Sequence, residues 1–509
     1  MKYHLLGLLC AALVGPVLVR AATPPNILFI LADDLGYGDV RANNPESKIP
    51  TPNLDRLAAA GMRFTDAHSS SAVCSPTRYN VLTGRYNWRT RLQSGVLDGY
   101  SPPLIARDRL TVASFLKQHG YTTAGMGKWH LGMNWAPAPD TATGAKATGW
   151  QVDYTQPIAD GPVARGFDSY FGIAASLDMP PYIFIANDRT VGLPTTNKTW
   201  IRKGPAGADF EAAQVLPTLT AKAVDYLAKQ ARADRPFFLY LALNSPHTPI
   251  LPTPAWQGRS GINAYADFVM QTDASVGEVL GALDRAGQAT NTLVFFASDN
   301  GCSPSANFAQ LAAKGHHPSG PLRGMKADIF DGGHRVPFLV RWPARVKPGS
   351  SSDQLVCLGD FMATCADVLG AKLPATAAED SVSLLPALLG QDRVPLHEAL
   401  VHHSIDGSFA IRQGRWKLEL CPDSGGWSAP KPGSAEAKLL PRVQLYDLAA
   451  GLDERQNLQA EHPEVVARLT RLLEKYVADG RSTPGKPQTN DVKVNWLKAA
   501  RQEPAAGGD

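Results

Sequence analysis

The feature that most constrains this chain is a recurring unit, a continuous apolar run of strand length followed by an amphipathic helical pattern. The runs are Asn26-Ile-Leu-Phe-Ile-Leu-Ala32, Thr122-Thr-Ala-Gly125, Phe237-Phe-Leu-Tyr-Leu-Ala-Leu243, Thr292-Leu-Val-Phe-Phe-Ala297 and Pro337-Phe-Leu-Val-Arg341. Helical spacing occupies residues 53–61, 111–119, 217–232 and 265–286. A strand that is apolar on both faces must be covered on both faces. The pattern therefore predicts an α/β fold, a doubly wound and mostly parallel sheet flanked by helices.

After about residue 395 the pattern changes. Residues 409–420 read as a hairpin turning near Gln413-Gly414, Gln444-Leu-Tyr-Asp447 as a short strand and 463–478 as a helix. These predict a smaller C-terminal α+β subdomain with an antiparallel sheet over 396–509. Its tail from Gly480, rich in Pro, Gly, Lys and Ala, is expected to be loosely held.

At the other end, Lys2 precedes an apolar run from Leu5 to Val19, with small residues around Ala21. Residues 1–21 read as a secretory signal, which leaves 22–395 as the main α/β domain of an exported, periplasmic or secreted protein. The run is short for a bilayer span, and no later stretch is longer and as apolar, so no stable membrane anchor is expected. Without the signal, the cysteines are Cys74, Cys302, Cys357, Cys365 and Cys421. That number is odd and small for an exported chain of this length, so disulfides are not the framework and at least one thiol is unpaired. Hydrophobic residues make up 44% and charged residues 19%, with a net charge of +4 dispersed along the chain. The composition is that of a globular protein with a large core, and it advertises no nucleic-acid-binding face.

Ligand sites in open α/β sheets form beyond the carboxyl ends of the strands. Asp33-Asp34 follow the first run, Lys128 and His130 the second, Asn244-Ser-Pro-His247 the third and Ser298-Asp299-Asn300 the fourth. Singly, an Asp-Asp pair is turn or helix-cap chemistry and a lone His is a surface His. Gathered at one rim, Asp33, Asp34, Asp299 and Asn300 are an all-oxygen donor set that suits a hard cation such as calcium, while zinc would want more His or thiolate.

The most specific local motif is Cys74-Ser-Pro-Thr-Arg78, followed by Leu82-Thr-Gly-Arg85. Pro76 suits the first turn of a helix and Ser75 the cap before it, placing residue 74 at a helix N-terminus where anionic oxygen is favoured. The motif resembles the signature of the type I sulfatases. Ala32-Asp-Asp, Gly127-Lys-Trp-His, Ser245-Pro-His-Thr-Pro, Ser298-Asp-Asn-Gly and Gly332-Gly-His-Arg-Val-Pro337 keep the same register.

The resemblance implies an alkaline-phosphatase-like fold, a sulfuric ester hydrolase activity and oxidation of Cys74 to formylglycine (3-oxoalanine) by a maturation enzyme. The hydrated aldehyde would attack sulfur with one hydroxyl, and the second would let the sulfated intermediate eliminate sulfate. It also implies that Asp33, Asp34, Asp299 and Asn300, with residue 74, hold calcium. Arg78 would orient the diol, Lys128 and Lys326 would hold sulfate oxygens, His247 would protonate the leaving oxygen and His130 would assist the diol.

Ser176 matches a hydrogen-bonding serine. Segments 88–96 and 176–182 look like those of arylsulfatases and N-acetylgalactosamine-6-sulfatases, which makes Arg89, Arg91, Asp178 and Tyr182 candidate sugar contacts. A sulfated carbohydrate is the expected substrate. The alternatives are a broad arylsulfatase, a formylglycine-dependent phosphodiesterase or phosphonate monoester hydrolase, and a calcium-dependent binder of sulfated glycans.

Overall fold

The computed structural model describes residues 24–138 and 149–497; the segment read as a secretory signal lies outside them. The central sheet has ten strands, in the order Ser350–Ser352, Met62–Phe64, Phe338–Arg341, Thr292–Ser298, Asn26–Ala32, Phe237–Ala242, Thr122–Lys128, Ser169–Ile173, Ile185–Ala186, Arg189–Thr190. The five strands from Thr292–Ser298 to Ser169–Ile173 are mutually parallel. The run at 337–341 forms a strand too, but it lies antiparallel to Thr292–Ser298. Ser169–Ile173 is a strand that carries no continuous apolar run, because Ser169 and Phe171 are only half-buried near the sheet's edge.

The two-sided burial behind the strand runs is visible residue by residue. Ile27, Phe29 and Leu31 enter one core, and Leu28, Ile30 and Ala32 enter the other. Helices Cys74–Thr83, Val112–Gln118 and Phe361–Val368 cover the first face, and Pro52–Ala59, Val215–Gln230 and Ala264–Arg285 the second. Phe361 plugs the first face against the rings of Phe29, Phe295 and Phe238 at 4.6, 5.1 and 5.7 Å. Helix Cys74–Thr83 is buried on every side, so it lacks the polar stripe by which an amphipathic helix is recognised.

The C-terminal strands Leu400–His403, Phe409–Gln413, Trp416–Glu419 and Gln444–Asp447 form an antiparallel sheet in that order. One face packs on helix Pro463–Ala478 through Val401, Ile411, Leu418, Leu469 and Leu473, joined by Tyr86 and Trp88 from the main sheet's side. The other face meets the main domain through a buried polar seam. Arg412 pairs with Asp66 at 2.7 Å, and Lys417 binds Asp331 at 2.9 Å and Glu454 at 2.6 Å. His68, His334 and His402 stack between these pairs, with the rings of His334 and His402 4.0 Å apart. The described cysteines are all unpaired and buried, so packing and this seam hold the molecule together.

The segment from Gly480 is pinned through most of its described length rather than loose. Asn490 accepts from Arg89 at 2.9 Å, Asp491 pairs with Arg85 at 3.0 Å, and the Asp491 N–H donates to the Arg89 carbonyl at 2.8 Å. Arg89 has no exposed surface and grips Asp380 with two bonds of 2.8 and 2.7 Å.

Removing one partner of a buried pair leaves the other charge uncompensated. Arg89→Ala should therefore lower unfolding stability by about 3–5 kcal/mol in denaturant titration. The seam makes a second prediction. Burial holds His68, His334 and His402 below the ordinary imidazole value of 6.5. The unfolded chain then binds more protons as pH falls below that value, so stability is full above it and declines beneath it. A Tm series between about pH 7 and about pH 5 should slope downward towards acid, and His402→Gln should flatten the slope.

Candidate active site

The parallel strands deliver their polar residues to one rim. The Asp33 N–H donates to the Ser245 carbonyl at 3.0 Å, and the Asp299 N–H to the Ala32 carbonyl at 3.1 Å, so three strand ends are stitched together beyond the sheet. Asp34 adopts φ 66°, a left-handed turn that brings its carboxylate in beside that of Asp33. At the end of the Thr122 strand, Gly127 has φ 107°, and a Cβ there would lie 1.7 Å from the Ala242 carbonyl oxygen. Only glycine fits, and its turn aims the following Lys128 at Asp33.

The charges interlock. Lys128 Nζ lies 2.7 Å from Asp33 Oδ2. Lys326 Nζ lies 2.6 Å from Asp34 Oδ1. Arg78 donates to Asp299 Oδ2 from Nε at 3.0 Å and Nη2 at 2.7 Å, and to the Lys128 carbonyl at 3.1 Å. All six side chains are buried. Burial opposes ionisation of Asp33, but Lys128, His247 and Arg78 outweigh it and hold the carboxyl well below its usual range. Burial and the Asp33 charge push Asp299 up to about 6. Burial likewise opposes the Lys326 ammonium, yet Asp34 and Asp33 raise its pKa.

Within this compensated cluster some oxygens are left over. Asp33 Oδ1 and Asn300 Oδ1 are buried without a hydrogen-bond partner, while Asn300 Nδ2 donates to Asp34 Oδ1 at 2.7 Å. Asp33, Asp34 and Asp299 bring one oxygen each within 4.8 Å of one another. Unpartnered buried oxygens are costly unless something coordinates them, and an all-oxygen set fits a hard divalent cation.

Cys74 opens helix Cys74–Thr83, two residues earlier than a cap at Ser75 would place it. Val73 is the cap position and supplies no side-chain bond, while the Ser75 hydroxyl accepts from the Leu97 N–H at 3.1 Å. The helix N-terminus is left open at residue 74. Burial pushes the Cys74 thiol up, so the unmodified side chain is a poor thiolate nucleophile.

Cys74 lies on a cavity of about 440 Å³ together with Ser176, Asp178, His247 and Lys326. His247 Nδ1 donates to the Thr248 carbonyl at 2.6 Å, which leaves Nε2, 3.6 Å from Asp34, to exchange protons with a ligand. His130 Nε2 donates to the Leu97 carbonyl at 2.6 Å, and its buried Nδ1 has no partner. Burial keeps both imidazoles below their ordinary value. A cavity of about 470 Å³ at the sheet's edge, by Arg41, Arg63 and Ser350, gathers no comparable chemistry.

Three expected sugar contacts lie elsewhere. Arg89 is saturated by Asp380, Tyr476 and Asn490 in the interior. Arg91 points to the exterior and donates to the Pro102 and Pro103 carbonyls. Tyr182 is buried, with its hydroxyl on the Arg202 carbonyl. Their polarity is used for structure, which local sequence does not reveal. Conversely, the cavity walls include Arg202, Ile405 and Trp427. No motif marks these residues, and only the tertiary fold brings them to Cys74.

The Sulfatase family model matches residues 25–371. An N-acetylgalactosamine-6-O-sulfatase of Bacteroides thetaiotaomicron is 33% identical, covering 88% of this chain and 92% of its own length. Human arylsulfatase A is 32% identical, with 89% and 88% covered. A solved B. thetaiotaomicron protein, described in connection with the metabolism of multiple glycosaminoglycans, superposes with a TM-score of 0.78 at 33% identity, covering 89% of this chain and 99% of its own. With the strand-end rim and the Cys74 helix in place, these likenesses make the chain a member of the type I sulfatase family, a sulfuric ester hydrolase on the alkaline-phosphatase-like fold.

Proposed function

We propose that the protein is an exported, calcium-dependent hydrolase of carbohydrate sulfate monoesters whose nucleophile is residue 74 after oxidation to formylglycine. The single observation that carries the reading is the buried Cys74 on the cavity beside a carboxylate cluster that retains unpartnered oxygens. The sugar assignment draws support from the N-acetylgalactosamine-6-O-sulfatase and from the glycosaminoglycan-linked structure described above. The main domain would extend from residue 22 to about 395, with the antiparallel unit completing it.

Asp33, Asp34, Asp299 and Asn300, with residue 74, would hold the cation. Bound there, calcium would polarise a sulfate oxygen and lower the pKa of the attacking hydroxyl. Oxidised and hydrated, residue 74 would carry two hydroxyls, one to attack sulfur and one to release the product sulfate, which a serine could not do. Arg78, fixed by Asp299, would orient residue 74 and balance its charge. Lys128 and Lys326 would bind the sulfate oxygens. His247 Nε2 would hand a proton to the leaving alcohol, since Nδ1 is committed to a carbonyl. His130 Nδ1 would accept from residue 74, and Ser176 would hydrogen-bond the bound group. A dedicated maturation enzyme is required for all of this.

The test begins with the peptide spanning residues 64–78 from matured protein, whose mass should be that of the aldehyde rather than the thiol. Cys74→Ala and Cys74→Ser should each lower kcat/KM on a sulfated saccharide by at least about 10³-fold with little change in Tm. A wild type that preferred a matched phosphodiester to the sulfate ester would overturn the reading. Treatment with a chelator should abolish turnover, and added calcium should restore it. Full activity in chelator would show that the carboxylates serve no metal.

A further inference from the structure

Resting on the carbohydrate-sulfate reading, we propose that the outer wall of the cavity is a glycan subsite. In it, the Trp427 ring stacks on the sulfated pyranose, and Arg202 pairs with a second anionic group, a carboxylate or sulfate, on the neighbouring sugar.

Both residues lie on the cavity that holds Cys74, and both are built into place. Trp427 is 40% exposed, unusual for a side chain of its size. Its loop is nonetheless strapped to the segment that carries Lys326. Asp328 Oδ1 accepts from the Trp427 and Ser428 N–H groups at 2.7 and 3.0 Å, and Asp328 Oδ2 accepts from the Met325 N–H at 2.9 Å. A Cβ on Gly426 would lie 2.5 Å from the Ala327 carbonyl oxygen, so the loop sits hard against that segment. Carried on that anchored loop, the half-open indole offers an apolar face beside the cavity to the C–H side of a sugar ring.

Arg202 begins one strand of a hairpin formed by Thr196–Trp200 and Arg202–Ala206. The hairpin is anchored by the buried Tyr182, whose N–H donates to the Pro205 carbonyl at 2.8 Å and whose hydroxyl donates to the Arg202 carbonyl. The Arg202 side chain is 54% exposed and its guanidinium is paired only loosely, at 3.4 Å, with Asp178. The deeper cations Lys128, Arg78 and Lys326 each face a carboxylate at 2.6–2.7 Å. Among the cavity's residues, Arg202 is the cation left at the entrance for a second negative charge. Asp178, with its Oδ1 buried and unpartnered, completes the wall as an acceptor for a sugar hydroxyl or amide.

The experiment uses matured full-length enzyme and three saccharides sharing one sulfated N-acetylhexosamine. Its neighbour is neutral in the first, a uronic acid in the second and a second sulfated unit in the third. Wild type should favour the two charged-neighbour substrates, with a preference that shrinks at high salt. Arg202→Gln should cut that preference about tenfold, chiefly through KM. Trp427→Ala should raise KM for all three substrates more than it lowers kcat. An unchanged preference in Arg202→Gln, or a Trp427→Ala loss confined to kcat, would overturn the subsite. If wild type cleaved a simple aryl sulfate but none of the saccharides, the carbohydrate reading would fall and the subsite with it. Cleavage of the saccharides with no charge preference would remove the subsite alone.

Discussion

Everything at the working edge depends on the mutual neutralisation of buried carboxylates and cations. Asp33, Asp34 and Asp299 lie in a region closed to solvent, where a lone charge would be prohibitive. Lys128, Lys326 and Arg78 make it tolerable, each within ion-pair distance of one of them. The balance is deliberately incomplete. Asp33 Oδ1 and Asn300 Oδ1 remain without partners, and Asp299 resists ionisation because it is buried and because Asp33 is charged beside it. A cluster so arranged is poised to accept positive charge and to present its cations to an anion.

The cluster can exist because parallel strands end together. Backbone bonds from Asp33 to Ser245 and from Asp299 to Ala32 register the ends of neighbouring strands. Two cores, one on each face, keep those strands from shifting. The C-terminal sheet adds a second level. Its seam of Arg412, Lys417 and stacked histidines locks it to the main domain, and from that side come Ile405 and Trp427, which finish the cavity. Cys74 and the Ile405 and Trp427 side of the cavity are thus held by different parts of the chain.

The fold was largely legible because burial on two faces writes itself into composition. The runs at 26–32 and 237–243 are apolar throughout for the same reason that their alternate residues enter different cores. Helix Pro463–Ala478 was equally clear, since one side packs and the other is wet. Helix Cys74–Thr83 shows the limit. Buried all round, it carries Ser75, Thr77, Arg78 and Asn80 inward, and its motif pointed to it where its periodicity did not. The tail from Gly480 reads as loose from its composition, yet several bonds to Arg85 and Arg89 secure it.

What the sequence alone determined was the doubly wound sheet, the oxygen-bearing residue types that follow its strands and the identity of the residue at the head of the Cys74 helix, because each strand, strand end and helix start is encoded in its own short stretch of chain. What only the tertiary structure decided was which side chains are left facing the cavity. Arg89 and Tyr182 look like binding residues and are consumed by Asp380 and by the Arg202 backbone, while Arg202 and Trp427 look like nothing and face the cavity. A side chain's role follows from what is left unsatisfied around it, and that balance is struck between segments hundreds of residues apart only when the chain has closed on itself.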